Sequence, residues 1–191
     1  MKIAGASSKF RGHIRPRFAL WGLLLMGLCG LAACAAAHVQ VLAPVFWDPA
    51  RLEGMELAAK QAREQGNTAE AERLCVEALR YVYASTLSNL YLYASVLKGL
   101  GRPEAEAARI RADKLREALL SPSGGDFDAW EPSTELRAYE ALLREVGRAA
   151  DAEAIMKLAT AYTLAQYTHN IREFERGRGG DPRGTCVLLA R

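Results

Sequence analysis

The residues best suited to metal or acid–base chemistry are few and scattered along the chain. The three histidines, His13, His38 and His169, lie far apart and show no HxxxH or HExxH spacing. Cys75 falls on the inward side of a predicted helix and Cys186 in a Gly-rich tail. In an oxidising compartment the two could pair, but nothing in their spacing demands it, and we expect two separate thiols. We therefore expect no enzymatic activity, no metal, no cofactor and no small-molecule substrate.

The strongest chemical signal is at Cys34. Residues 1–17 are basic, residues 18–30 are apolar and uncharged, and Leu31-Ala32-Ala33 precedes the cysteine. Charged, apolar and then small residues are the order of a secretory signal peptide. Its end resembles a bacterial lipobox. This resemblance implies that residues 1–33 are removed and that a lipid, including palmitate, is attached to Cys34. Ala35 stands where the family's inner-membrane retention signal is Asp, which implies the outer membrane.

The N-terminus allows two other interpretations. Residues 18–37 carry no charge and are long enough to be an uncleaved transmembrane anchor. The acid-free, Arg-bearing start is also compatible with a mitochondrial targeting sequence, although its long apolar core argues against an amphipathic transit helix. Lipidation and anchoring both place the rest of the chain on a membrane surface outside the bacterial cytoplasm.

The net charge of +3 comes from the leader. Residues 1–33 hold five basic residues and no acid, so residues 34–191 contain 20 basic and 22 acidic side chains. A nearly neutral chain has no general electrostatic attraction for nucleic acid.

The body of the chain contains an internal repeat. Gly66, Gly101 and Gly147 each precede an Ala-rich segment and follow a segment with an apolar face at helical spacing. Each glycine permits the positive φ that ends a helix. Asp48-Pro49 and Asn67 are predicted to start helices. The pattern predicts helix hairpins with alanines at close helix contacts.

The glycines are 35 and 46 residues apart, and removing the Pro/Gly-broken stretch Ser121–Pro132 brings the second spacing to 34. This period resembles the tetratricopeptide repeat over about residues 51–166. The resemblance implies an all-α fold of three helix hairpins in a short α-solenoid, with a capping helix that ends near Phe174. The family's large aromatic and Leu-Gly signatures are absent, which puts the register of the second repeat in doubt.

The sequence predicts four segments: a signal peptide over 1–33, a tether over 34–50, a helical domain over 51–176 and a flexible tail over 177–191. The tether holds Phe46 and Trp47, which are suited either to docking on the helices or to the lipid interface.

Basic residues lie on the first helix of each hairpin. In tetratricopeptide proteins the corresponding stripe faces a concave, peptide-binding groove. Cations in the last turn of a helix are also favoured by the macrodipole, which is a competing explanation. The resemblance predicts a protein-binding groove made of Lys60, Arg63, Tyr91, Lys98, Arg137 and Arg144.

Together these features predict a non-catalytic, membrane-anchored scaffold that binds another cell-envelope protein, for example during assembly of a pilus or secretion complex. The alternatives are an envelope enzyme and a structural membrane subunit anchored by residues 18–37.

Overall fold

A computed structural model describes residues 44–120, 130–181, 183 and 186, together with the side chains of these residues except Trp130 and Glu131. This part of the chain is all-α and contains no strand. Its five helices are α1 (Pro49–Glu64), α2 (Thr68–Gly99), α3 (Ala105–Leu120), α4 (Trp130–Glu145) and α5 (Ala149–Gly177). The predictions made for residues 1–33 and Cys34 lie outside the described residues.

The predicted helix starts and stops are confirmed at the first hairpin. Asp48 caps α1 by accepting a hydrogen bond from the Ala50 N–H, and Pro49 occupies the first turn. Asn67 caps α2 by accepting from the Glu70 N–H. Gly66 has a φ of 75°, the left-handed conformation that its place in the turn requires. Local sequence therefore determines where these two helices meet.

The predicted break between the first and second hairpins is absent. Residues 68–99 form one continuous helix of 32 residues, so the second helix of the first predicted hairpin and the first helix of the next are joined. At 1.5 Å per residue, the turn at Gly66 and the turn at Gly101 are separated by roughly 50 Å along α2. These two turns lie at opposite ends of the bundle.

The last helix returns along α2 in the opposite direction. Arg172 near the end of α5 pairs with Glu72 near the start of α2, and Tyr162 packs edge-on against Tyr83. Helix α1 also contacts α5. Because the first and last helices touch, the five helices form a closed array and not only a chain of neighbouring hairpins.

Two parts of the chain repeat each other with a constant offset of 81 residues. Helix α1 spans 49–64 and α4 spans 130–145, while α2 begins at 68 and α5 at 149. The Arg-Glu-X-Gly sequence at residues 63–66, between α1 and α2, recurs at residues 144–147, between α4 and α5. Helix α4 begins inside the predicted Ser121–Pro132 interruption. Pro132 therefore lies in the first helical turn, where its missing N–H costs no hydrogen bond.

Small residues occupy the centre of the core, as the repeat pattern predicted. Ala78 and Ala152 are completely buried and Ala71 and Ala159 nearly so, which lets neighbouring backbones approach closely. Larger side chains fill the spaces between the helices. The largest fully buried apolar ones are Val82, Val96, Leu136, Tyr139, Leu143, Ile155, Leu158 and Tyr162.

The expectation of two separate cysteine thiols is wrong. Cys75 on α2 and Cys186 form a disulfide with a Cα–Cα distance of 6.5 Å, and both residues are buried. The bond covers a sequence separation of 111 residues. The C-terminal segment is therefore held covalently to α2 at Cys186, and it is not free along its whole length.

The end of the tether docks on the helices. The Trp47 ring stacks on Tyr81 at 5.3 Å between ring centroids, and the Asn89 amide donates to the Phe46 carbonyl at 3.0 Å. The Tyr81 hydroxyl accepts from the Asp48 N–H. Trp47 thus belongs to the bundle, while Phe46 remains exposed.

Candidate functional site

A groove bordered by several cations lies between the C-terminal part of α2 and the start of α3. We call it the α2–α3 cleft. It has a volume of about 680 Å³ and opens to solvent. Its lining residues are Tyr91, Ala94, Ser95, Lys98, Arg102, Pro103, Ala105, Glu106 and Arg109.

Helix geometry and one turn bring these residues together. Tyr91, Ala94, Ser95 and Lys98 follow each other at spacings of three, one and three residues, so they share one face of α2. Gly101 then adopts a φ of 66° and reverses the chain into α3. Both walls of the α2–α3 cleft are therefore set by a single hairpin.

Tyr91 on α2 is held in place by a hydrogen bond to α3. Its hydroxyl donates to the Asp113 carboxylate at 2.6 Å, across from α2 to α3. Partial burial raises the pKa of Tyr91, and the hydrogen bond to Asp113 raises it further. Tyr91 therefore stays neutral at ordinary pH and presents a flat ring held in one orientation.

Three cations border the α2–α3 cleft. Arg102 forms an exposed ion pair with Glu145 at 3.4 Å, and Arg109 pairs with Glu106 at 3.5 Å. Within the described ranges, Lys98 has no ion-pair partner. Since Glu106 is the one acid among the lining residues, the lining carries an excess of positive charge.

These groups suit binding better than covalent chemistry. Arginine forks and a lysine recognise carboxylates, and Tyr91 offers a surface for an apolar or planar group. In the part of the chain that the structure describes, no group of three His, Cys, Asp or Glu residues is placed to hold a metal ion.

The six residues predicted to form one groove are divided among different surfaces. Tyr91 and Lys98 both line the α2–α3 cleft, whereas Arg63 lines a separate pocket with Thr68 and Asp181. Arg63 is in the last turn of α1, next to the start of α2, whereas Lys98 is in the last turn of α2. Because α2 is continuous, these two cations lie near opposite ends of that helix. The predicted basic residues therefore do not lie along one groove.

The remaining predicted residues lie on exposed helix surfaces. Lys60 is 4.0 Å from Glu64, one turn later on α1. Arg144 pairs with Glu140 at 2.7 Å on α4, and Arg137 is exposed on the same helix. Arg144 is near the Gly101 end of the bundle, because the Arg102–Glu145 pair joins α4 to that turn.

Sequence reasoning missed Arg102, Arg109 and Asp113. The uncertain register of the second repeat hid them, because their direction depends on where α3 begins. Arg102 lies in the turn before α3, so helical periodicity could not have placed it beside Arg109.

No helix among the described residues is both long enough and apolar enough to cross a bilayer. The chain matches no known family model, no curated protein and no solved structure.

Proposed function

We propose that this protein is a non-catalytic, membrane-anchored scaffold that binds an acidic segment or a free carboxyl terminus of another cell-envelope protein in the α2–α3 cleft. The observation that carries this proposal is the convergence of Lys98, Arg102 and Arg109 around the fixed ring of Tyr91. A chain terminus with an apolar last side chain would place its carboxylate among the cations and its side chain against Tyr91.

A tetratricopeptide-like arrangement is part of the proposal. Three glycine turns with positive φ, at Gly66, Gly101 and Gly147, support it, as do the buried alanines that follow each of them. The joined helix α2 makes the arrangement a modified one, in which binding is concentrated in one hairpin and not spread along a groove.

Export and anchoring rest on two features. The Cys75–Cys186 disulfide is typical of oxidising compartments such as the bacterial periplasm. The signal-like N-terminus with Leu31-Ala32-Ala33-Cys34 provides the attachment point for a lipid. In this proposal the acylated Cys34 holds the helical domain at the outer membrane, facing the periplasm.

Binding is tested with the full chain in detergent and a fluorescein-labelled acidic peptide, with either a free or an amidated C-terminus. The triple variant Lys98→Glu, Arg102→Glu, Arg109→Glu should weaken binding at least about tenfold, because attraction becomes repulsion at the cleft. Its matched control is Lys60→Glu, Arg63→Glu, Arg137→Glu, which makes the same charge change elsewhere. Equal effects of both triple variants would contradict binding at the α2–α3 cleft.

The anchor is tested separately. A Cys34→Ser variant should lose labelled palmitate and leave the membrane fraction, while Cys29→Ser should keep both. Unchanged palmitate incorporation in Cys34→Ser would refute the lipid attachment.

A further inference from the structure

Helix α5 carries a long uncharged face, of which several side chains remain exposed. Its residues follow each other at spacings of three and four, which places them in one stripe over about 27 Å. Met156, Tyr167 and Phe174 are 44%, 57% and 58% exposed, respectively. We call this set the α5 stripe; it consists of Met156, Thr160, Leu164, Tyr167, Ile171 and Phe174.

An apolar groove lies beside one end of the α5 stripe. It has a volume of about 370 Å³, and α1 and the tether form its other wall. Its apolar lining includes Trp47, Leu52, Met156 and Leu164. Glu53 and Glu56 of α1 and Lys157 of α5 also line the groove, so acids outnumber cations at its edge. Lys157 pairs with Glu153 on α5 at 3.2 Å. We call it the α1–α5 groove.

The other end of the α5 stripe carries a projecting aromatic ring. Phe174 is the most exposed aromatic side chain among the described residues. The guanidinium of Arg178 lies 4.1 Å from the centre of its ring. This end therefore presents an apolar group with a cation attached, while the α1–α5 groove presents an apolar cavity with acids at its edge.

We propose that two copies of this chain form a two-fold symmetric dimer through antiparallel α5 helices. A two-fold axis near the middle of the α5 stripe places Phe174 of each copy in the α1–α5 groove of the other copy. The contact between Phe174 and the groove therefore occurs twice in the dimer. In the same register Leu164 meets Tyr167 of the second copy, and Glu153 meets Arg178 of the second copy.

Charge complementarity favours a second copy over a membrane surface. Arg178 arrives with Phe174 at a groove whose edge is acidic, where Glu53 and Glu56 attract it. The negative surface of a membrane would repel these same carboxylates together with Glu153. A copy of this chain therefore matches both ends of the stripe.

The dimer is tested by sedimentation equilibrium of the full chain in density-matched detergent. The wild type should sediment as a dimer. Glu153→Arg and Arg178→Glu should each raise the dimer dissociation constant at least about tenfold, because each creates two like-charge contacts. The double variant should return to within about threefold of the wild type. These positions are about 38 Å apart within one α5 helix, so only contact between copies explains such a rescue.

A second variant tests the aromatic contact without changing charge. Phe174→Ala should raise the dissociation constant at least about tenfold, since buried aromatic anchors dominate interfaces. Ile110→Ala removes an exposed apolar side chain from α3 and should leave the dimer dissociation constant unchanged. Thermal unfolding shows whether each variant is folded. A monomeric wild type, a double variant that stays dissociated, or a monomer that binds anionic vesicles through Phe174 would overturn the proposal.

Discussion

Arg172 and Glu72, which are 100 residues apart in sequence, form a salt bridge between the end of α5 and the start of α2. The Arg172 side chain is only 9% exposed, and its Nη1 also lies 3.7 Å from the Sγ of Cys75. An ion pair and a disulfide therefore join the same two parts of the chain at one place. These two links hold the C-terminal part of the chain against the start of α2.

Removing Glu72 should be strongly destabilising. Glu72→Leu leaves the buried Arg172 cation without its partner, and we expect the free energy of unfolding to fall by about 2–4 kcal/mol. Glu72→Leu combined with Arg172→Met should lose less than Glu72→Leu alone, because no buried charge remains. Guanidinium unfolding of the full chain measures both. The control is Glu70→Leu, which breaks the exposed pair with Arg73 and should lower the free energy of unfolding much less than Glu72→Leu does. Equal losses in the single and double variants would show that the ion pair is not the cause.

Breaking the disulfide should also lower stability. Closing a loop of this length restricts the unfolded chain, so Cys75→Ala with Cys186→Ala should cost about 2–5 kcal/mol. Urea unfolding with and without a reductant checks this. The reductant should destabilise the wild type and have no effect on the double variant. A wild type that is indifferent to reductant, with free thiols found by alkylation and mass spectrometry, would show that the bond does not form.

The buried alanines should not accept larger side chains. Ala78 has no exposed surface and Ala159 is 6% exposed, so Ala78→Leu and Ala159→Leu should each overpack the core by about 1–3 kcal/mol. Ala69→Leu, on the exposed side of α2, is the matched control and should change stability by about 0.5 kcal/mol or less. Thermal melting compares the three. Melting temperatures that stay the same in both core variants would mean that these helices pack less closely than the structure shows.

Tyr139 should make stability sensitive to alkaline pH. Burial raises the pKa of Tyr139 from 10.0 to about 12, with smaller opposing effects of Arg148 and Asp151. The unfolded chain therefore loses this proton first. Its contribution to stability is fully present below pH 10 and is lost as the pH rises from 10 to about 12.

The variant Tyr139→Phe isolates this effect. It should reduce the loss of stability between pH 10 and about 12, measured by urea midpoints across that range. At pH 7 it should be neutral or more stable by up to about 1 kcal/mol, because the Tyr139 hydroxyl has no hydrogen-bond partner among the described residues. A Tyr139→Phe profile identical to the wild type would contradict the predicted titration.

The local features of the fold could be predicted from sequence. Asp48, Asn67 and the glycines at 66 and 147 act through hydrogen bonds and backbone angles within a few residues, so their types and order determine where helices begin and end. The inward positions of Ala78 and Ala159 follow in the same way from helical periodicity.

The candidate site was predictable only in part. Tyr91 and Lys98 share a face because they are seven residues apart on one helix, and sequence periodicity is enough to show this. Arg102, Arg109 and Asp113 join them only through the path of the chain after Gly101, which sets the direction of α3.

Tertiary structure alone decided the remaining relationships. No local signal distinguishes two helices joined by a turn from the continuous α2, because the residues between them can adopt either conformation until packing selects one. That choice separates Arg63 from Lys98 and divides the predicted groove. The pairing of Cys75 with Cys186, and of Glu72 with Arg172, depends in the same way on how α5 packs against α2 over about 100 residues of intervening chain.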